Sequence, residues 1–127
     1  MGMTSVLQGR AAEYRARKYL ERRSLSFIAA NFRCRQGEID LIMRDEGLMV
    51  FVEVRCRKNS RYGNALESIG ESKMKKIIAA SDYYLSLLDP DGDNIHARFD
   101  VVAYNRGLYQ PPDWIINAFE GHISCDF

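Results

Sequence analysis

Apolar residues recur at helical spacing in two stretches of the chain. The first stretch, residues 9–23, and the second, residues 71–88, each place their apolar side chains on one face, which predicts two amphipathic helices. The face of the first consists of Ala12, Ala16, Tyr19 and Leu20. The face of the second consists of Met74, Ile77, Ile78, Ser81, Leu85 and Leu88.

Between the two predicted helices, apolar residues form continuous runs of the kind found in buried strands. Residues 39–43 and 48–54 are rich in β-branched and other apolar side chains. The turn signal between them lies at Glu46 and Gly47, and Gly47 can adopt a positive φ. The two runs predict a β-hairpin with a two-residue loop, whereas a bulge at Gly47 would shift its register by one residue.

The rest of the pattern completes a mixed domain. Residues 24–32 are interpreted as a connection or a short strand, and residues 98–104 as a further strand, in which Asp100 has a structural role. Residues 114–119 follow two prolines and are apolar enough to pack on the core. This order of elements predicts a single α/β domain over residues 1–127, with a central mixed β-sheet flanked by helices.

The composition is that of an ordinary globular domain, but the charge is unevenly distributed. Hydrophobic residues make up 46% of the 127 residues and charged residues 28%, with a net charge of +1. The first 36 residues hold eight basic and two acidic side chains, whereas residues 82–100 hold five aspartates and one arginine. The basic first third fits a polyanionic partner, and it equally fits a solvated helix face.

Several classes of protein do not fit this sequence. No run approaches the roughly 18 apolar residues of a membrane helix, and the first residues are too polar for a signal peptide. The three cysteines are far apart and form no CxxC motif, which argues against a zinc site and a disulfide framework. We therefore expect a cytoplasmic protein without membrane association.

Two carboxylates interrupt the apolar runs of the predicted hairpin. The two-residue loop would place Asp40 directly opposite Glu53, with Cβ atoms about 4.5–5.5 Å apart. Buried carboxylates are costly without a compensating charge, and two that face each other repel. A divalent metal between them accounts for both, and Mg²⁺ is the best match. The alternative is a structural ion pair with Arg33, Arg55 or Arg57.

Motifs along nearly the whole chain resemble those of the bacterial YraN-like proteins. They are Gly9-x3-Glu13-x2-Ala16-x3-Leu20, GEIDLI at residues 37–42, FVEVR at residues 51–55, Lys73 in the second helix and RFDVV at residues 98–102. This is a family of predicted endonucleases, similar to the restriction-endonuclease-like superfamily and to archaeal Holliday-junction resolvases. The resemblance implies a restriction-endonuclease-like fold.

The resemblance also implies a PD-(D/E)xK-type site that binds Mg²⁺ or Mn²⁺. By position, Asp40 is the first carboxylate of such a site and Glu53 the second, while Glu13 is the carboxylate from the first helix. The backbone carbonyl of Val54 is a further candidate ligand.

The third motif position, usually lysine, is Arg55 in this chain. Arginine is effectively always charged, so Arg55 can neutralise a phosphate but is a poor base. Lys73 or Arg57 would then supply the missing charge.

The implied activity is metal-dependent hydrolysis of phosphodiester bonds in DNA, with branched or damaged DNA as candidate substrates. Six arginines would follow the nucleic-acid backbone: Arg10, Arg17, Arg33, Arg35, Arg57 and Arg61. Resolvase-like relatives work as dimers, so a homodimer is expected by analogy. Two alternatives use the same fold without catalysis: a nucleic-acid-binding module, and a protein-interaction module that docks or dimerises through residues 114–119.

Overall fold

The structure, a computed structural model, describes residues 2–56, 69–91 and 95–119. Its elements are α1 (Gly2–Glu21), β1 (Ser26–Cys34), β2 (Gly37–Asp45), β3 (Leu48–Cys56), α2 (Glu71–Leu88), β4 (His96–Tyr104) and β5 (Asp113–Phe119). Both predicted helices are present. The second has the predicted bounds, whereas α1 begins earlier than residue 9.

The five strands of the described ranges form one sheet, in the order β1-β2-β3-β4-β5. Neighbouring strands are antiparallel except for β3 and β4, which are parallel. A parallel pair needs a crossover connection, and α2 lies between β3 and β4 in the chain. The prediction of an α/β fold with a mixed central sheet flanked by helices is confirmed.

Each face of the sheet is covered by one helix. The core on the α1 side consists of Ala16, Leu20, Leu25, Leu41, Met43, Val50, Val52, Val102 and Tyr104. The core on the α2 side includes Ile39, Ile42, Met49, Phe51, Ile77, Ile78, Ala80 and Phe99. The two helices therefore approach the sheet from opposite sides. Neither helix has the length and apolar content needed to cross a bilayer, within the residues described.

The hairpin of β2 and β3 closes with the expected two-residue loop, because Asp45 pairs with Leu48. The positive φ in this loop belongs to Glu46, at 56°, so its expected position at Gly47 was wrong. In the hairpin loops that match the twist of the strands, the first loop residue takes a positive φ, and Glu46 occupies that place.

Two segments become strands because of pairing that the local sequence pattern does not reveal. The sequence allowed a connection or a short strand at residues 24–32, and the nine-residue strand β1 is found there. Residues 114–119 belong to the edge strand β5, where Trp114 pairs with Val102 of β4. Such pairing satisfies backbone groups that would otherwise be left without partners along β4.

A buried aspartate ties β4 to β5 and to the hairpin. Asp100 is fully buried and accepts hydrogen bonds from Nε of Arg98 (3.0 Å), Nε1 of Trp114 (2.9 Å) and the backbone N–H of Asn117 (2.9 Å). Arg98 also binds Asp45, through Nη1 at 3.1 Å from Oδ2. A buried carboxylate surrounded by donors is a structural element, as the sequence indicated for Asp100.

The Asp100→Asn variant should lower the free energy of unfolding by about 3 kcal/mol. The new amide group would present an N–H donor where the carboxylate presents an acceptor, and Arg98 would lose one of its two anionic partners and keep Asp45. Urea unfolding followed by circular dichroism measures the effect. Asp91→Asn, at an exposed aspartate, is the matched control and should cost less than about 0.5 kcal/mol. Equal effects of the two substitutions would contradict the assignment.

Candidate active site

The hairpin carboxylates lie side by side, as its register requires. The β2–β3 ladder is unbroken up to the pair Leu41 and Val52, and Asp40 and Glu53 are the next residues beyond its end. Because Val52 belongs to the core on the α1 side, alternation along the strand points Glu53 toward the α2 side. Its side chain is only 4% exposed. The hairpin thus brings the two carboxylates into contact, since the side chains of Asp40 and Glu53 hydrogen-bond each other.

Asp40 is fixed by the neighbouring strand and titrates far from its ordinary range. The backbone N–H of Val54 donates to Oδ2 of Asp40 at 2.9 Å. Burial first, and then the charges of Glu53 and Glu13, raise the pKa of Asp40 from 3.8 to about 8, while the Val54 N–H opposes this rise. Asp40 is therefore largely protonated at neutral pH unless a further cation stabilises its charged form.

Glu13 reaches the same place from α1. Burial raises the pKa of Glu13, hydrogen bonds with the side chains of Asn31 and Asp40 lower it, and the charges of Glu38 and Glu53 raise it. The structure thus brings together the three carboxylates that the sequence singled out. Their role as metal ligands stays a prediction.

Two cations contact the buried carboxylate of Glu53. Nζ of Lys73 and Nη1 of Arg55 each lie 3.3 Å from its Oε2. Lys73 stands in the first turn of α2, where a cation is slightly unfavourable, and the contact with Glu53 offsets that cost. Gly37 lets α2 come close to β2, because a Cβ there would lie 2.8 Å from the carbonyl oxygen of Lys76.

Sequence reasoning missed Asn31. This residue lies in the interior of β1 with φ at 54°, and the pairing of its neighbours sets it opposite Asp40. Its side chain hydrogen-bonds Glu13 and so helps to hold that carboxylate in the site. Asparagine is among the few residues other than glycine that adopt this conformation, so an asparagine in a strand was a weak signal.

The donor set fits Mg²⁺ in its chemistry. Within the described ranges, no group of three or more Asp, Glu, His or Cys side chains is arranged to hold a metal ion. Mg²⁺ commonly uses only one or two protein carboxylates and fills its other positions with water and substrate phosphate. Asp40 and Glu53 supply two such carboxylates, and a divalent cation would stabilise the charged form of Asp40 against the burial and the repulsion that raise its pKa.

Some of the arginines expected to bind nucleic acid lie close to this site. Arg33 pairs with Glu38 at 3.5 Å and lines a shallow cavity together with Lys73. Arg35 is exposed beside it, and Arg10 is exposed on α1. These three are available to a polyanion.

The other expected arginines are engaged elsewhere or fall outside the described ranges. The guanidinium of Arg17 lies 3.6 Å from the ring centroid of Phe27, and its Nε is 3.4 Å from Glu21. Arg57 and Arg61 lie outside the residues that the structure describes.

The comparison with known proteins and the sequence motifs lead to the same family. The uncharacterised protein family UPF0102 matches residues 12–104 of this chain. The chain belongs to this family. The YraN-like resemblance is thereby confirmed, and Glu13, Asp40, Glu53 and Lys73 all fall within the range that matches UPF0102.

Individual UPF0102 proteins match over most of the chain. One from Pectobacterium carotovorum subsp. carotovorum is 43% identical over 117 residues, which cover 92% of this chain and 97% of the relative. One from Pasteurella multocida is 44% identical over 113 residues, covering 89% and 94%. One from Burkholderia vietnamiensis is 46% identical over 108 residues, covering 84% and 72%. The similarity to these UPF0102 proteins thus covers 84–92% of this chain.

In EDTA, the stability of this UPF0102 chain should fall as the pH rises from about 4 to about 8. In that window native Asp40 keeps a proton that the unfolded chain loses, because its pKa is raised from 3.8 to about 8. Asp40→Asn removes this titration. Its stability relative to the wild type should therefore grow by about 1–4 kcal/mol between pH 5 and pH 8.

Urea unfolding at a series of pH values measures this difference. Glu71→Gln, at a carboxylate whose side chain is 83% exposed on α2, is the matched control and should follow the wild-type pH dependence. An Asp40→Asn variant that kept the wild-type slope would show that Asp40 does not titrate in this window.

Proposed function

We propose that this chain is a divalent-metal-dependent endonuclease that hydrolyses phosphodiester bonds in DNA, with branched or damaged DNA as its substrate class. The observation that carries the proposal is the convergence of Asp40, Glu53 and Lys73, which come from β2, β3 and α2. A buried glutamate and a half-buried aspartate beside a lysine have the composition of a PD-(D/E)xK site, and the family resemblance points to the same chemistry.

Asp40 and Glu53 are the residues that would hold Mg²⁺ or Mn²⁺, with the Val54 carbonyl and Glu13 as further candidate ligands. When bound, the metal supplies a Lewis acid that polarises the phosphate and lowers the pKa of a bound water. The Val54 N–H orients the Asp40 carboxylate for this role through its hydrogen bond.

Lys73 and Arg55 together would have the functions that a single lysine has in the usual motif. Arg55 keeps its charge and stabilises the negative charge that develops on the phosphoryl oxygens. Lys73 has a compact ammonium that can orient a water molecule and can exchange a proton, which a guanidinium cannot do. Both contact the same oxygen of Glu53, so both lie within reach of a phosphate bound beside that carboxylate.

Exposed cations near the carboxylates bind the phosphate backbone of the substrate. Arg33 and Arg35 lie at the β1–β2 end of the sheet, and Arg33 shares a cavity with Lys73. Their contacts with phosphate are independent of sequence and weaken with salt. The proposal includes a cytoplasmic location and, by analogy with resolvases, a homodimer.

A non-catalytic nucleic-acid-binding module is the second candidate, and one observation favours it. Lys73 and Arg55 already neutralise Glu53 within the protein. A carboxylate with two cationic partners can serve a purely structural role, and the surrounding cations would then only bind phosphate.

The Asp40→Asn and Glu53→Gln variants should each lose Mg²⁺-dependent cleavage by at least about 100-fold and keep their affinity for DNA. Cleavage of branched, nicked and single-stranded DNA is followed on gels, and binding is measured by fluorescence anisotropy in EDTA. Glu71→Gln is the matched control and should cleave as the wild type does. DNA binding by the wild type with no cleavage in Mg²⁺ or Mn²⁺ would favour the non-catalytic module.

Lys73→Ala should lower the rate constant of cleavage about 100-fold with little change in DNA affinity, because the charge acts near the reacting phosphate. Lys75→Ala, which removes the same charge two residues further along α2, is the matched control, since Lys75 pairs with Glu71 instead. Arg55→Lys should keep most of the activity. If Lys73→Ala and Lys75→Ala behaved alike, Lys73 would have no special part in the reaction.

A further inference from the structure

The flank of α1 that faces away from Glu13 forms one wall of a groove of about 800 Å³. Arg15 and Lys18 of α1 and Arg22, which comes directly after the last residue of α1, follow one another at the spacing of successive helical turns. Glu13 lies roughly on the opposite side of the same helix, at about 3.6 residues per turn. The groove is therefore a separate surface from the candidate active site.

The connection between β4 and β5 forms the other wall, and Tyr104 lies at the base. This connection contributes Tyr109 and its neighbours up to residue 112. Arg15 and Arg22 both lie near Tyr104, where their charges lower its pKa against the larger rise that burial causes. Two of the cations thus converge on the floor of the groove.

The groove is strongly basic. Its described lining includes the cations Arg15, Lys18, Arg22 and Arg23, and it includes no aspartate or glutamate. Lys18 pairs with Glu21 at its rim, with Nζ 3.5 Å from Oε1. Such a concave surface with one sign of charge attracts a polyanion.

Flat aromatic rings stand among these cations. Tyr109 is 85% exposed and Tyr14 is 59% exposed, so both rings are accessible to a ligand. The guanidinium of Arg15 lies 4.6 Å from the ring centroid of Tyr109, and Nζ of Lys18 lies 5.5 Å from that of Tyr14. Each exposed ring therefore has a cation next to it.

We propose that this groove binds a single strand of nucleic acid. Bases stack on Tyr14 and Tyr109, while the phosphates between them contact Arg15, Lys18 and Arg22. Alternating rings and cations are what single-strand binding surfaces use, because every base has a flat face and every linkage a negative charge. An acidic peptide would need the cations alone, so the exposed rings favour nucleic acid. The proposal does not depend on cleavage at the carboxylates.

The test is the affinity for a fluorescent oligothymidylate of about 12 nucleotides, measured by anisotropy in EDTA at several salt concentrations. The double variant Tyr14→Ala with Tyr109→Ala should bind at least about 10-fold more weakly. Tyr14→Phe with Tyr109→Phe keeps the rings and should bind as the wild type does. Arg15→Gln with Arg22→Gln should weaken binding and reduce the salt slope by about 1.4, for two lost phosphate contacts.

Arg44→Gln is the matched control for charge, because Arg44 is exposed and alternates with Met43 of the α1-side core, which places it on the other face of the sheet. It should leave the affinity unchanged. All variants are first checked for wild-type melting temperature, and the substituted side chains are at the surface. The proposal is overturned if the wild type does not bind the oligomer, or if removal of both rings leaves the affinity unchanged.

Two competitors distinguish binding of a single strand of nucleic acid from binding of other anions. Polyglutamate of equal charge should displace the oligomer poorly, and equal displacement would mean that charge alone is recognised. Thymidylate should bind far more weakly than the oligomer, and equal affinity would assign the groove to a free nucleotide.

Discussion

Asp40 and Glu53 lie together at one end of the β2–β3 hairpin, where burial and the charge of Glu53 make ionisation of Asp40 costly, and the surrounding elements are arranged around that cost. The Val54 N–H stabilises the charged form of Asp40, while Arg55 and Lys73 neutralise Glu53. These partners come from β3 and from α2, on the far side of a crossover. The site therefore exists only when hairpin and helix are packed together.

Asp100 shows what a buried carboxylate looks like when its environment satisfies it completely. It has a cation, an indole N–H and a backbone N–H as donors, and no acid competes with it. Asp40 has one backbone donor and two acidic neighbours, and burial together with the charges of those neighbours raises its pKa to about 8. Asp100 thus stabilises the fold, whereas the charged form of Asp40 would need a cation to stabilise it. A carboxylate whose pKa is raised in this way is typical of sites that bind a ligand.

Sequence reasoning succeeded where the signal was local and failed where it was not. The helical stripes, the two-residue hairpin loop and the opposed carboxylates follow from spacing and turn chemistry. The pairing of β5 with β4 depends on an edge that only the folded sheet presents. Asn31 was missed because its left-handed backbone interrupts a strand that is defined by its partner β2. Lys73 was named as a candidate, but its position over Glu53 depends on the close approach of α2 at Gly37, which no spacing along the chain reveals.

Helix α1 has a different task on each flank, and its sequence reflects both. One side buries Ala12, Ala16 and Leu20 against the sheet, and beside that stripe Glu13 reaches the carboxylates. The flank beyond carries cations, of which Arg15 lies over the ring of Tyr109 and Arg23 over that of Tyr19. A helix needs only its apolar stripe to pack, so the basic residues on its remaining surface can take on a further role without loss of packing. Attraction of a polyanion would be such a role, and it would act on a surface of α1 separate from the one that carries Glu13.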